Sequence, residues 1–296
     1  MSGAPVRLAI ISEGTSTWPL YVAESRGLFT RAGLAVEITV TASSVRQLEE
    51  LTGGGFDIGF QQSDHVVRAV EAGADLFAFM AVAHAPELSL VAARGIASLD
   101  DLRGKTIVVD GARTGYALLL RKLLADRGLG EDDYAMREFG GSQQRFDAMM
   151  AGGGVASFLN PPFDRRLFAA GFGSLGTTLD FFPTYPGPVA AARRRWAAGH
   201  GDALVAFVRA MQEAFRWLKD PQNKAEAIRL LPARLNMDAA AAASAFDEFA
   251  SHPLPQITAQ GMREVIDVVW GAEGYRGAKG APDKYLDLGF AQRAQA

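Results

Sequence analysis

The sequence of 296 residues contains no cysteine. Disulfide bonds, thiolate metal sites and a cysteine nucleophile are therefore excluded. The four histidines lack metal-ligand spacing, and we expect neither a metal nor a cofactor. No apolar run approaches the roughly 20 residues of a membrane span. The start of the chain lacks the pattern of a signal peptide, which indicates a cytoplasmic protein or an exported one whose leader is not part of this sequence.

An excess of charge of one sign is also lacking. The chain has 30 lysines and arginines against 33 aspartates and glutamates, a net charge of −3. This balance gives no bulk attraction to nucleic acid or to an anionic membrane, so we expect no nucleic-acid partner. The motifs of serine hydrolases, zinc proteases, dinucleotide-binding domains and P-loop enzymes are missing as well.

What the sequence does contain is an internal repeat. The segment SSVRQLEELTGGGFDIGFQQSDHVVRAVEAG, from Ser43, resembles GSQQRFDAMMAGGGVASFLNPPFDRRLFAAG, from Gly141. Alignment of the glycine triplets places Arg46 and Arg145 at the same distance before them. Upstream, RLAIISEGTSTWPLYVAESRGL matches KTIVVDGARTGYALLLRKLLADRGL in outline. Each half alternates strands and helices, which predicts an α/β fold with two mainly parallel sheets flanked by helices.

Four polar loops leave predicted strand ends and enter predicted helices, at residues 12–17, 61–64, 111–115 and 160–162. Ligands of parallel sheets bind outside the carboxyl ends of the strands. The unpaired N–H groups of helix N-termini suit an anion or a polar acceptor. We therefore expect these loops to converge on a ligand cleft between two domains.

The candidate ligand-binding residues come from these loops and from the segment that leaves the second half. Arg113 would bind an anion by bidentate contact, whereas Trp18 would pack flat on a ligand. Instead of contacting a ligand, these side chains could cap a helix, pack in the core or simply face solvent. No catalytic residue is expected. The full set is Glu13, Ser16, Thr17, Trp18, Gln61, Ser63, Arg113, Thr114, Tyr116, Asn160 and Tyr185.

The stretch PLYVAESRGLFTRAGLAVEI carries a family resemblance, supported by FDIGF, SLDDLRGKTIVV, YPGPVAAARRRW and DPQNKAEAI. The chain resembles, over nearly its whole length, the periplasmic substrate-binding proteins of ABC importers for aliphatic sulfonates, taurine, nitrate and thiamine-precursor pyrimidines. In that family the first stretch has the pattern P-x-x-x-A-x-x-x-G-x-F-x-x-x-G-L-x-V. The matching residues here are Pro19, Ala23, Gly27, Phe29, Gly33, Leu34 and Val36.

The resemblance implies a two-domain periplasmic binding protein of type II-like fold that closes on its ligand. Domain one would comprise residues 1–86 and 189–296, domain two residues 87–188, with a hinge near 83–88 and 185–189. It also implies a monomer in the periplasm that delivers a small molecule to a membrane permease. One departure is that the second half has Gly154-Val155-Ala156, where the family usually keeps an aspartate after the apolar residue; the first half retains this aspartate as Asp57.

We expect the ligand to be a small polar or anionic organic molecule. An aromatic or heteroaromatic compound, including a carboxylate, is favoured, with an alkyl sulfonate as the runner-up. This preference depends on an expected aromatic wall of Trp18, Phe60, Tyr116, Phe158 and Tyr185.

Two other functions stay open at this point. The first is an enzyme on the same fold, either pyrimidine-related or a decarboxylase or lyase that uses Asp64, His65 or His84. Relatives of the fold include a pyrimidine synthase and a desulfinase that both depend on cysteine, and this chain has none. The second is a cytoplasmic sensor that binds a ligand and a partner protein.

Overall fold

The computed structural model describes residues 4–85, 88–112, 114–160, 163–230 and 239–295. The predicted ligand residue Arg113 lies outside the described residues, as do Pro86 and Glu87 of the predicted hinge. Two compact units share the chain. Unit 1 comprises Met1–His84, Pro186–Met262 and Ala281–Ala296, and unit 2 comprises Ala85–Tyr185 and Arg263–Gly280.

The first unit is built around a five-stranded mixed sheet. Its strands are β1 (Val6–Ile10), β2 (Val36–Val40), β3 (Ile58–Gln62), β4 (Leu76–Ala81) and β10 (Pro188–Arg193). Their order is β2-β1-β3-β10-β4, in which β1 is parallel to β2 and β3, and β10 is antiparallel to β3 and β4. The carboxyl ends of β1, β2 and β3 therefore lie at one edge of the sheet.

Helices cover this sheet because its central strands are apolar on both faces. They are α1 (Trp18–Ser25), α2 (Leu28–Arg31), α3 (Ser44–Gly53), α4 (Ser63–Glu71), α9 (Arg194–Gly199), α10 (Gly201–Lys219), α11 (Lys224–Leu230), α12 (Ala239–Ser251) and α14 (Gly289–Gln295). All six residues of β4 are buried. Phe207 of α10 lies in the core, stacked on Phe29 at a centroid distance of 5.4 Å.

The second unit is built around a sheet of the same kind. Its strands are β5 (Ser89–Ala92), β6 (Thr106–Val109), β7 (Ala135–Glu138), β8 (Ala156–Leu159) and β9 (Gly173–Thr177). Their order is β7-β6-β8-β5-β9, in which β6 is parallel to β7 and β8, and β5 is antiparallel to β8 and β9. The helices are α5 (Gly115–Ala125), α6 (Ser142–Met150), α7 (Phe163–Ala169), α8 (Thr178–Phe181) and most of α13 (Ala259–Glu273).

Residues 263–280 differ from the sequence-based division, which assigned them to domain one. Val268 is buried among the leucines of α5, and the hydroxyl of Thr184 donates a hydrogen bond of 2.6 Å to Glu264 Oε1. These contacts associate the segment with unit 2. The sequence suggested a helix here but gave no sign of which core its apolar face would join.

The two sheets have the same strand order, with one antiparallel strand at the same position in each. The predicted α/β fold with two mainly parallel sheets flanked by helices is confirmed. Among the helices of the described ranges, none combines the length and the apolar character needed to cross a bilayer.

The internal repeat is present, but its register differs by one residue from the triplet alignment. The amide N–H of Gly54 donates to Leu51 O, and that of Gly152 donates to Met149 O in the same way. Both glycines have positive φ, 92° and 73°, the left-handed region that favours glycine. Gly54 therefore corresponds to Gly152, and the structural counterpart of Arg145 is Gln47 rather than Arg46.

Candidate functional site

In unit 1, buried polar side chains gather where β3 ends. Gln61 Nε2 donates a hydrogen bond of 2.6 Å to Gln47 Oε1, and both side chains are fully buried. His65 Nδ1 lies 3.0 Å from Gln61 Oε1 and donates to it in the matching tautomer. Gln47 Nε2 has no hydrogen-bond partner among the described residues. Because a buried amide N–H normally has a partner, this group is a candidate for binding an acceptor.

The polar side chains at the start of α4 are also buried, and they are paired with other groups of unit 1. The hydroxyl of Ser63 donates to Pro186 O at 3.3 Å, and Asp64 forms an ion pair of 3.1 Å with Arg68. Ser63 does not cap this helix, because α4 begins at Ser63 and Gln62 is its N-cap residue. The role of Ser63 in ligand binding stays a prediction.

The loop after β1 contains three predicted ligand residues with different exposures. Glu13 and Ser16 are exposed, whereas Thr17 is buried. Capping of α1 by Ser16 or Thr17 is not observed. Thr17 Oγ1 instead lies 2.8 Å from Gly14 O and from the hydroxyl of Tyr21, so it closes the turn before the helix.

Trp18 is fully buried in the core of unit 1. Its ring lies edge-on to Phe246 at 6.0 Å and tilted against Phe249 at 6.3 Å. Its Nε1 has no hydrogen-bond partner among the described residues. These contacts favour a packing role in this conformation, and ligand contact by Trp18 stays a prediction.

In unit 2, the corresponding strand end contains a buried cation. Arg145, in the first turns of α6, is 7% exposed. Its guanidinium donates to Phe158 O at 2.6 Å and to Ser142 Oγ at 3.1 Å. The Ser142 hydroxyl in turn donates to Asn160 Oδ1 at 2.6 Å. Asn160, a predicted ligand residue, is thereby held in place at the end of β8.

Burial lowers the pKa of Arg145, which the negative charge of Asp110 partly offsets. An arginine keeps its proton in proteins at any ordinary pH, so a permanent positive charge lies at this strand end. None of the ion pairs in the described part of the chain involves Arg145, and its Nε has no partner there.

The loop after β6 leads into α5. Thr114 is the N-cap of this helix, and its hydroxyl oxygen accepts a long hydrogen bond of 3.4 Å from Ala117 N. The same hydroxyl donates to Asp110 Oδ1 at 2.6 Å. Tyr116 is half-buried against the leucine-rich core of unit 2. Thr114 therefore has a structural role whether or not it also contacts a ligand.

Tyr185 and His84 flank the two crossings of the chain between the units. Tyr185 is half-buried, with its ring edge-on to Phe182 at 6.4 Å. His84 Nε2 is hydrogen bonded to Pro253 O, and its ring lies 5.7 Å from that of His252. Burial is the main reason why the pKa of His84 is lowered. Ligand contact by Tyr185 stays a prediction.

Gln47, Ser142 and Arg145 were missing from the predicted ligand residues. Gln47 is followed four residues later by the buried Leu51, and Arg145 by the buried Met149. A polar residue one helical turn from a core residue lies on the same helix face, which is an unusual position for it. That spacing was the available signal in the sequence.

At the opposite edge of the first sheet, Asp57 precedes β3 and binds Arg7 of β1. The carboxylate accepts hydrogen bonds from Arg7 N and Nε, both at 3.0 Å, and from Nη2 at 2.7 Å, and Arg193 lies 3.7 Å away. Burial by itself raises the pKa of Asp57, but the hydrogen bonds and charge of Arg7 outweigh it and leave the pKa lowered. This cluster joins strands β1, β3 and β10.

A cavity of about 470 Å³ in unit 1 contains none of the predicted ligand residues. It lies beside the end of β4, between α10, α14 and residues 254–257. Four glutamines line it together with apolar side chains, namely Gln212, Gln256, Gln292 and Gln295. In the described residues, no group of three or more histidine, aspartate or glutamate side chains could hold a metal ion.

Two five-stranded α/β units of equal strand order, each with buried polar groups at the carboxyl ends of its strands, define the periplasmic-binding-protein fold. The chain belongs to the NMT1/THI5-like family, whose profile matches residues 15–225. The resemblance found in the sequence is thereby confirmed.

A curated relative is the bicarbonate transport ATP-binding protein CmpC of Synechocystis, which is 27% identical over 237 residues. The match covers 73% of this chain but only 35% of that protein, so the chain spans about a third of its length. Among solved structures, the periplasmic aliphatic sulphonate binding protein SsuA of Escherichia coli has a TM-score of 0.74 at 19% identity, covering 96% and 97% of the two chains.

The periplasmic nitrate-binding protein NrtA of Synechocystis superposes with a TM-score of 0.69 at 15% identity, covering 98% of this chain and 88% of NrtA. At these identities the two structural likenesses establish the fold and nothing about the ligand.

Proposed function

We propose that the chain is the solute-binding component of an ABC importer, which captures a small polar or anionic organic molecule. One observation carries the proposal. At the carboxyl ends of the strands in each unit, a buried side chain has a hydrogen-bond donor without a partner among the described residues: Gln47 Nε2 in unit 1 and Arg145 Nε in unit 2. Unsatisfied buried donors cost stability, which is repaid when a ligand supplies acceptors.

The family and its relatives support this proposal. SsuA and NrtA are periplasmic binding proteins for aliphatic sulphonates and nitrate, and CmpC is a component of bicarbonate transport. By analogy, this chain would act in the periplasm as a monomer that delivers its ligand to a membrane permease. Closure of the two predicted domains on the ligand, about the predicted hinge, is part of the proposal.

The preference for an aromatic ligand is weakened by the burial of the expected aromatic wall. Trp18, Phe60 and Phe158 are all at most 5% exposed and belong to the cores of their units. Tyr116 and Tyr185 are half-buried and remain as candidates to contact a ring. The proposed ligand class is therefore polar or anionic organic molecules, with or without an aromatic ring.

The observed contacts of Asp64, His65 and His84 give little support to an enzyme that would use these residues. Asp64 is paired with Arg68, His65 is hydrogen bonded to Gln61, and His84 is hydrogen bonded to a backbone carbonyl. A general acid–base pair requires two titratable groups that face the same reacting atoms. The three side chains instead interact with different parts of unit 1, which favours binding without reaction.

The test is a thermal-shift screen of refolded protein against carboxylates, sulfonates, pyrimidines and amino acids, with each compound recovered and identified by mass spectrometry. A ligand at 100 times its Kd should add about 2.7 kcal/mol to the free energy of unfolding. Gln61→Ala should weaken the response, and the exposed Gln222→Ala is the matched control. Recovery of a chemically altered compound would support an enzyme, and no response to any class would contradict the proposal.

A further inference from the structure

The buried guanidinium of Arg145 has no carboxylate partner among the residues that the structure describes. Its guanidinium donates hydrogen bonds to a neutral carbonyl and a neutral hydroxyl, Phe158 O and Ser142 Oγ. A buried charge is stabilised by an opposite charge, and a buried charge without one destabilises the fold. Arg145 is only 7% exposed, and its Nε has no hydrogen-bond partner among the described residues.

The acidic group that acts on Arg145 is Asp110, at the end of β6. Its Oδ1 accepts the hydroxyl hydrogen of Thr114, and no ion pair joins it to Arg145 within the described residues. The other group that acts electrostatically on Arg145 is Tyr116. The counter-charge from the protein is therefore indirect, and the guanidinium has no carboxylate paired with it among the described residues.

The N-terminus of α6 adds donors at the same place. This helix has nine residues, and its N-cap residue is Gly141, which has no side chain to accept from the first-turn N–H groups. Its counterpart in unit 1, α3, is capped by Ser43, whose hydroxyl accepts from Arg46 N. The unpaired N–H groups and dipole of α6 favour negative charge next to Ser142.

We propose that Arg145 and the uncapped N-terminus of α6 form the subsite that recognises an oxyanion of the ligand, a carboxylate or a sulfonate. The inference rests on the proposed function and assigns its substrate class. The Arg145–Ser142–Asn160 chain of hydrogen bonds orders the donors around this subsite. Charge-assisted hydrogen bonds from a buried arginine are strong enough to discriminate an anion from its neutral amide.

The experiment is isothermal titration with pairs of matched compounds, benzoate with benzamide and butanesulfonate with butanesulfonamide. The wild-type protein should bind at least one anion more tightly than its amide. Arg145→Gln should weaken that anion by about tenfold or more, since a charge-assisted hydrogen bond is lost. The matched control is Arg127→Gln, which removes the same charge from an exposed position of unit 2. It should leave the affinity unchanged.

A second variant tests the subsite without removing a buried charge. Gly141 has an extended backbone, φ −62° and ψ 174°, and an added Cβ would meet only the flexible end of Gln144. Gly141→Asp should cap α6 and keep or raise the Tm, while its carboxylate weakens anion binding by about tenfold. Gly141→Asn, which caps without charge, should weaken the anion much less. If this turn had only a structural role, Gly141→Asp and Gly141→Asn would have the same effect on anion binding.

The outcomes distinguish this inference from the proposed function. Equal anion affinity in wild type, Arg145→Gln and Gly141→Asp overturns the subsite while solute binding stands. Binding of the neutral amides alone, with no response to either anion, overturns the subsite in the same way. A wild-type protein that binds no member of the panel overturns the subsite and removes support from the importer proposal. If Arg145→Gln does not fold, the comparison of Gly141→Asp with Gly141→Asn decides.

Discussion

The two units have the same strand order but bury different polar residues at equivalent positions. At the carboxyl ends of the strands, unit 1 has a neutral amide pair, Gln47 and Gln61, whereas unit 2 has the cation Arg145. At the opposite edge, unit 1 has the carboxylate Asp57, and unit 2 has Val155 at the corresponding position. The strand order therefore depends on the alternation of apolar strands and helices and tolerates exchange of these polar residues.

The comparison also separates buried polar groups whose hydrogen bonds are complete from those that keep a donor without a partner in the described residues. Asp57 has all its hydrogen bonds within unit 1, and its loss in unit 2 is accompanied by a hydrophobic replacement. Gln47 and Arg145 instead each keep a buried donor without a partner in the described residues. Satisfied buried groups stabilise the fold, whereas an unsatisfied donor at a strand end costs stability and is a candidate to bind an acceptor of a ligand.

The largest predicted difference in the free energy of unfolding between equivalent variants of the two units comes from removing the carboxylate of Asp57. Asp57→Ala leaves the Arg7 and Arg193 guanidinium groups without their buried partner and should cost about 2–3 kcal/mol of the free energy of unfolding. Val155→Ala at the equivalent position should cost about 1 kcal/mol or less. Urea unfolding of both variants measures this, and equal losses would contradict the assigned role of Asp57.

The lowered pKa of Asp57 predicts that stability depends on pH in the acidic range through a group that only unit 1 contains. Because the folded-state pKa of Asp57 is lowered, its contribution to stability is complete above the unfolded pKa of about 3.9 and is lost as the pH falls through the folded pKa. Asp57→Asn lacks this contribution. The difference in Tm between wild type and Asp57→Asn should therefore be constant near neutral pH and shrink below about pH 4. A difference that grows on acidification would contradict this.

The amide pair of unit 1 should show strong coupling. Gln47→Leu or Gln61→Leu leaves the other amide buried without its partner and should cost about 1–2 kcal/mol. Because the double variant removes both polar groups, it should cost little more than either single one. A double-mutant cycle by thermal unfolding of the ligand-free protein measures this. Additive costs would mean that the hydrogen bond of 2.6 Å contributes nothing.

The smallest predicted difference concerns the two helix caps. Ser43→Ala removes the acceptor for Arg46 N and should cost about 1 kcal/mol. Gly141→Ala removes no cap in unit 2 and should cost roughly 0.3 kcal/mol. Chemical unfolding of the two variants compares them. Equal costs would mean that the cap of α3 is already replaced by solvent.

The fold could be predicted from the sequence because its pattern is repeated. Apolar strands followed by polar loops and helices occur in both halves, and the family stretch from Pro19 to Ile38 is long enough to identify. Three consecutive glycines could not fix the register of the repeat, because any of them fits a left-handed turn. Only the hydrogen bonds of Gly54 and Gly152 show which residues correspond, and they replace Arg46 with Gln47 as the counterpart of Arg145.

The candidate site could be predicted only in part. A polar or aromatic residue after a strand is visible in the sequence, but the sequence does not show whether its side chain faces the strand end or the core. Gln61 and Asn160 are buried or half-buried in polar clusters at strand ends. Trp18 has the same kind of position in the sequence, yet its ring packs on Phe246 and Phe249, residues more than 200 positions away. Long-range partners of this kind leave no local pattern.

The most direct test of the account is hydrogen exchange with and without the tightest ligand of the screen. If the strand ends of both units form the binding site, exchange should slow in peptides covering 43–48, 61–66, 141–146 and 157–160. Peptides around the glutamine-lined cavity, 212–216 and 291–295, should be unaffected. Protection confined to those cavity peptides would contradict the account, because the ligand would then bind away from Gln47 and Arg145.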